Sequence, residues 1–128
     1  MGYSYRGGDM TYKYVDAADV KPTWGTFRMI RHELGGTAFG LNQIDFPPDK
    51  VGSEHDESGS GQEEIYLCLS GSGTLEIDAE TVEMKPGRYI LVSPDAKRRP
   101  SAGSDGMSFL CVGGVSGGVY EPWVPPDE

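Results

Sequence analysis

The chain has 128 residues, a formal net charge of -9, 37% hydrophobic residues, 19 glycines and 9 prolines. That length makes one domain with one core of modest size, and the glycine and proline content suits short strands joined by turns rather than a helical bundle. The acidity argues against nucleic acid and an anionic membrane surface as partners, because like charge repels before contact forms.

The first residues, MGYSYRGGDM, lack the apolar core of a signal segment. No run approaches the roughly 18 apolar residues of a membrane span. The expectation is a soluble, cytoplasmic protein. Residues 1–23 hold no sustained period and read as an N-terminal arm, with one helical turn near Asp16 to Val20. Trp24 to Leu34 reads as the first strand, and Gly35-Gly36 as a turn. Thr37 to Phe46 is the next strand, with Phe39, Leu41 and Gln43 on one side. Pro47-Pro48 ends it, since proline offers no ladder donor.

Asp49 to Ser53 then delivers the stretch on which the chemistry rests, Glu54 to Thr74. His55 and Glu57 stand two apart, so on a strand they share a face. Glu64, Tyr66 and Cys68 repeat that spacing, while Ile65, Leu67 and Leu69 fill the opposite face. Ser70-Gly71-Ser72-Gly73 reads as a hairpin turn into Thr74 to Asp78. Asp78-Ala79-Glu80 turns tightly into Thr81 to Met84, and Lys85-Pro86-Gly87 leads to the apolar run Tyr89 to Val92. Ser93-Pro94-Asp95 turns again before Lys97-Arg98-Arg99, where alternation makes Arg98 point away from its neighbours. Met107 to Val112 is the final buried strand, and residues 115–128 read as a proline-rich tail, extended on the surface or packed back onto the barrel through Trp123. About eight short strands with regularly spaced turn signals predict an all-β sandwich or small antiparallel barrel over residues 24–114.

The stretch resembles the first motif of the cupins, small barrels in which His-x-His, then a Glu, then six residues and a Gly supply metal ligands from two strands. His55-x-Glu57 stands where His-x-His would be, and Glu64 with Gly71 keeps the Glu-to-Gly spacing. The loop between them is about two residues longer than is usual in the family. In the second motif Gly87 fits, with Lys85 in place of the Pro, but Arg98 takes the histidine position and Ala102 that of the later Asn. Asp49 and Ala79 replace the glycines that open the two motifs. The resemblance covers roughly Glu33 to Gly113. It implies a jelly-roll barrel, a metal-ligand set at His55, Glu57 and Glu64, and a homodimer in which the arm adds a strand to its neighbour.

Three functions follow. One imidazole with two carboxylates is a recurring ligand set for Mn, Fe, Ni or Zn that leaves positions open, and this is the enzyme reading, of a dioxygenase or isomerase type. Against it, the chain has only two histidines, His32 and His55, and Arg98 is a fixed cation that cannot ligate a metal. The leading reading is therefore a cupin that binds a small anionic molecule, with Arg98 on its carboxylate or phosphate and Tyr66, Gln43 and Glu64 giving further contacts. Alternatively Arg98 pairs with Glu64 or Glu57 as a structural ion pair, in a non-catalytic dimer. Cys68 and Cys111 sit in strands and read as buried thiols rather than a disulfide.

Overall fold

The structure, a computed structural model, describes residues 3–5 and 11–125. Its elements run β1 (Tyr3–Tyr5), β2 (Lys13–Val15), a 3-10 turn (Ala17–Asp19), β3 (Phe27–Arg28), α1 (Ile30–Leu34) and β4 (Gly40–Phe46). There follow β5 (Gln62–Ile77), β6 (Glu80–Met84), β7 (Tyr89–Val92) and β8 (Arg98–Val115). Among the described residues β1 pairs with β2 alone. The main sheet has the order β3-β4-β8-β5-β6, with β7 also on β5, and every strand pairing is antiparallel. It is a rolled, barrel-like sheet of the jelly-roll kind that does not close. Among the described residues no helix is long and apolar enough to cross a membrane.

Two strands organise it. β5 has 16 residues and β8 has 18, against about 5–6 in a common strand, because each bends and serves both walls of the roll. The upstream half of β5 pairs with Met107–Val115 and with β7; the downstream half pairs with Arg98–Ala102 and with β6. The bend sits at register shifts between Cys68 and Ser70 and between Gly71 and Gly73. Gly71 (φ 74°) and Gly106 (φ 76°) face each other there, and a Cβ on Gly71 would lie against the Gly106 carbonyl. The expectation of a hairpin turn at Ser70 to Gly73 is thus corrected. These glycines admit a bulge and a close crossing, and the chain reverses only at Asp78-Ala79, where Asp78 takes φ 52°. For the same reason Lys97-Arg98-Arg99 and Met107 to Val112 belong mostly to one bent strand, β8.

The expected strand Trp24 to Leu34 is also corrected. Only Phe27–Arg28 pairs with β4, and Ile30–Leu34 is helical. Gly35, read as a turn residue, is its left-handed C-cap at φ 79°, donating to the Arg31 and His32 carbonyls.

Alternation along the strands sends Ile44, Phe46, Tyr66, Cys68, Leu75, Met84, Ile90, Val92, Met107 and Phe109 into one core. The odd-numbered residues of β4 face the other way. There Asp45 accepts from Arg28 Nε (2.6 Å), Ser108 Oγ (2.5 Å) and Gln43 Nε2 (3.3 Å), while Arg28 Nη1 donates to the carbonyls of Ala17 (2.9 Å) and Val20 (2.6 Å). Burial opposes ionisation of Asp45, yet these hydrogen bonds and the Arg28 charge outweigh it and lower its pKa. This cluster straps the 3-10 turn to the sheet. The tail is anchored by buried Tyr120, by the Trp123 ring 6.0 Å from that of Trp24, and by Arg31 Nη2 donating to the Trp123 carbonyl at 2.6 Å.

Candidate metal centre

The segment after Pro47-Pro48 is extended but is not a regular strand. It docks on β8 through isolated pairings at Val51 and His55. His55 and Arg98 exchange both backbone hydrogen bonds, at 3.0 and 2.8 Å, and the Glu57 N–H donates to the Pro94 carbonyl at 2.8 Å. These bonds hold His55 and Glu57 over the mouth of the roll. Glu64 arrives from β5, between Val92 of β7 and Gly113 of β8. At Gly113 a Cβ would run into the Gln62 side-chain oxygen and would touch Glu64 Cγ at 3.4 Å.

One ligand atom each from His55, Glu57 and Glu64 lies within 4.8 Å of the others. His55 Nε2 is 3.2 Å from Glu57 Oε2 and 3.9 Å from Glu64 Oε1. Each carboxylate is held from behind. Ser60 Oγ donates to Glu57 Oε1 at 2.6 Å, and Tyr66 donates its hydroxyl proton to Glu64 Oε1 at 2.9 Å. Hydrogen bonding to Glu57 foremost, and then to Glu64, pushes the His55 pKa up to about 9 against the effect of burial. The His55 hydrogen bond also lowers the pKa of Glu57, with Ser60 and the Arg98 charge adding to it. Tyr66 is buried and its pKa is raised well out of reach, by burial first and then by the charges of Cys111 and Glu64.

Arg98 has no accessible surface. Its Nη1 donates to the carbonyls of Ala96 (2.6 Å) and Pro94 (3.4 Å), and its Nη2 to that of Ser93 (3.2 Å). What faces the site is Nε, buried without a hydrogen-bond acceptor and 3.6 Å from Glu64 Oε1. The side chain therefore meets Glu64, and a ligand would have to displace that carboxylate to reach it. Arg99 points outward and pairs with Glu76 through Nη2 at 2.6 Å.

His55, Glu57, Glu64, Tyr66 and Arg98 thus converge. Gln43 does not, because an odd position on β4 places it on the outer face, bonded to Asp45 and Ser108. Two neighbours escaped sequence reasoning. Ser60 lies in a stretch that reads as solvated loop, and only the turn it makes, with Ser60 and Gly61 N–H groups on the Glu57 carbonyl, brings its hydroxyl back. Cys111 stands across from Tyr66, and burial, with Glu64 beside it, raises its thiol pKa well above the ordinary value. The β8 alternation was the available signal for it. Both cysteines are free.

One imidazole nitrogen and two carboxylate oxygens suit a hard or borderline divalent cation. The donor atoms are close enough for one ion to reach all three, and they are already backed by hydrogen bonds, as ligating carboxylates commonly are.

A family profile described as the cupin domain matches residues 42–113, more than half of the chain. No curated protein matches the sequence. Among solved structures, a cupin protein from Bacteroides fragilis is 27% identical, covers 94% of this chain and 97% of its own, and superposes with a TM-score of 0.73. KdgF from Halomonas sp. is 14% identical over 68% of this chain and 76% of its own, TM-score 0.59. A sugar phosphate isomerase of the cupin superfamily from Silicibacter pomeroyi is 21% identical over 70% and 59%, TM-score 0.57.

Proposed function

This chain belongs to the cupin family, and from that premise we propose that it holds one divalent cation between His55, Glu57 and Glu64 and presents the open side of that site to a small, oxygen-bearing molecule. The observation that carries this reading is the approach of three ligand atoms to within 4.8 Å at the mouth of the roll, with Arg98 turned away from solvent behind Glu64. A bound cation would supply Lewis-acid polarisation of a ligand oxygen. The chain's own residues do the rest. Ser60 and Tyr66 fix the two carboxylates, the buried Arg98 offsets the second negative charge, and partly exposed His55 lines the entrance. Two free thiols support a reducing compartment such as the cytoplasm.

The test is metal analysis together with thermal denaturation. Stripped protein loaded with Mn, Fe, Ni or Zn is expected to take up one equivalent and to melt at a higher temperature, and Glu57→Gln is expected to remove both effects. Protein that stays substoichiometric and unshifted with all four metals would sink the reading.

A second reading, a metal-free pocket for a small anion, draws on the cationic His55, which solvent reaches where Arg98 is closed off. Two carboxylates beside two cations leave no net positive charge to attract an anion, so the geometry favours the metal.

A further inference from the structure

The inner wall that leads away from Glu64 is built from glycine and neutral polar side chains. Glu64 stands opposite Gly113 of β8, and Gly113 stands opposite Gly40 of β4. Glu64 and Gly40 are therefore two strand spacings apart, about 10 Å, with no side chain rooted between them. The next row toward the core is Tyr66, Cys111 and Asn42, and Gln62 precedes Glu64 on the same face of β5.

What hangs over the two glycines is polar. The Gln62 side-chain oxygen lies where a Cβ on Gly113 would fall, and the Tyr120 hydroxyl lies 3.2 Å from where one on Gly40 would stand. Tyr120 belongs to the tail, which brings its buried ring back over this end of the roll. Asn42 and Gln62 are half-buried. Among the described residues, neither of their side-chain amides nor the Tyr120 hydroxyl has a hydrogen-bond partner; Gln62 reaches Ser60 only through its backbone N–H. Such groups lose free energy on burial unless something arrives to pair with them. Apart from Glu64, the inner positions of β4, β5 and β8 at this end carry no charge.

We propose that the Asn42 and Gln62 amides and the Tyr120 hydroxyl bind the ligand of the metal centre, and that this ligand is a neutral, polyhydroxylated molecule of sugar size. The inference rests on the proposed cation: one ligand oxygen meets the metal, and the hydroxyls further along meet these three groups. An amide and a phenol each donate and accept, as a sugar hydroxyl does, so the two sets match. A carboxylate or phosphate on this wall would meet no cationic side chain, because Arg98 is sealed behind Glu64. An apolar chain would leave the amides unpaired.

Calorimetric titration of the Mn-loaded full chain with D-ribose, D-xylose, D-glucose and D-mannose tests it, with metal content measured on every sample. Pentanediol and glutarate serve as chains of similar length without the inner hydroxyls. At least one aldose is expected to bind in the millimolar range, at least about tenfold more tightly than either control. Gln62→Leu and Asn42→Leu are each expected to weaken that binding at least about tenfold while the metal is retained. Tyr120→Phe, too small a change to unfold the chain, is expected to weaken it several-fold and decides the matter if a leucine variant loses its metal. A wild-type chain that takes up no metal overturns this inference together with the proposed metal centre. One that holds its metal but gives no heat with any aldose overturns this inference alone. So does aldose binding that the variants leave unchanged, or that pentanediol or glutarate equals.

Discussion

Arg98 Nε stands 3.6 Å from Glu64 Oε1, too far for a hydrogen bond, while both terminal nitrogens of the same guanidinium are bound to backbone carbonyls. The family's histidine position has become a buried counter-charge, held by the Ser93 to Ala96 turn and aimed at a carboxylate. Arg98→Met removes the buried counter-charge beside Glu64 and the guanidinium donors to the Ser93, Pro94 and Ala96 carbonyls. The expected loss is about 3–5 kcal/mol, measured by urea denaturation. Arg98→Met combined with Glu64→Gln should recover part of it; a double mutant as unstable as the sum of the singles would contradict the pairing.

His55 gives the metal-free protein a pH signature. Its folded pKa, about 9, exceeds the ordinary 6.5, so the protonated form favours the fold. That contribution is complete below the unfolded value and disappears as pH rises from about 6.5 through 9. Thermal melts of stripped protein should therefore decline across this window, and His55→Asn should flatten the decline. A metal ion needs the neutral imidazole, so its apparent affinity should climb over the same range.

Tyr66→Phe keeps the buried ring and removes the donor to Glu64. Titration with a divalent metal should show about a 10- to 100-fold weaker affinity, with a stability loss of about 1 kcal/mol. Unchanged affinity would mean that Glu64 is oriented without the phenol.

Gly71→Ala should cost about 1–3 kcal/mol, because it places a Cβ at φ 74° against the Gly106 carbonyl. Gly59→Ala, with nothing near its Cβ position, should change stability little. Equal effects in chemical denaturation would show that the bend does not depend on the crossing of β5 and β8.

Emptying the core is the control for the whole arrangement. Phe109, almost wholly buried and stacked edge-on with Phe46 at 5.5 Å, should lose about 3–5 kcal/mol on replacement by Ala, without altering metal stoichiometry in the folded fraction.

The residues that alternate on β5 were legible before any coordinates. Glu64, Tyr66 and Cys68 against Ile65 and Leu67 is a period-2 pattern, and a strand with one buried face can place such residues in only one way. The same rule separates Arg98 from Lys97 and Arg99 but leaves open which of them faces the barrel, and the structure turns Arg98 inward and Arg99 outward. The short helix at Ile30–Leu34 was not legible, because five residues are too few for a helical period to show, and Gly35 serves equally as a turn residue or a helix cap.

Local spacing thus determined which residues of a strand share a face, since side-chain direction on a strand is fixed by position. Only the tertiary structure decided that β5 and β8 bend rather than turn, that Gln43 lies outside, that Ser60 and Cys111 lie at the site, and that Arg98 is sealed from ligands. Each of those depends on which segments, distant in sequence, come to lie against one another, and contact across the fold leaves no period in the chain.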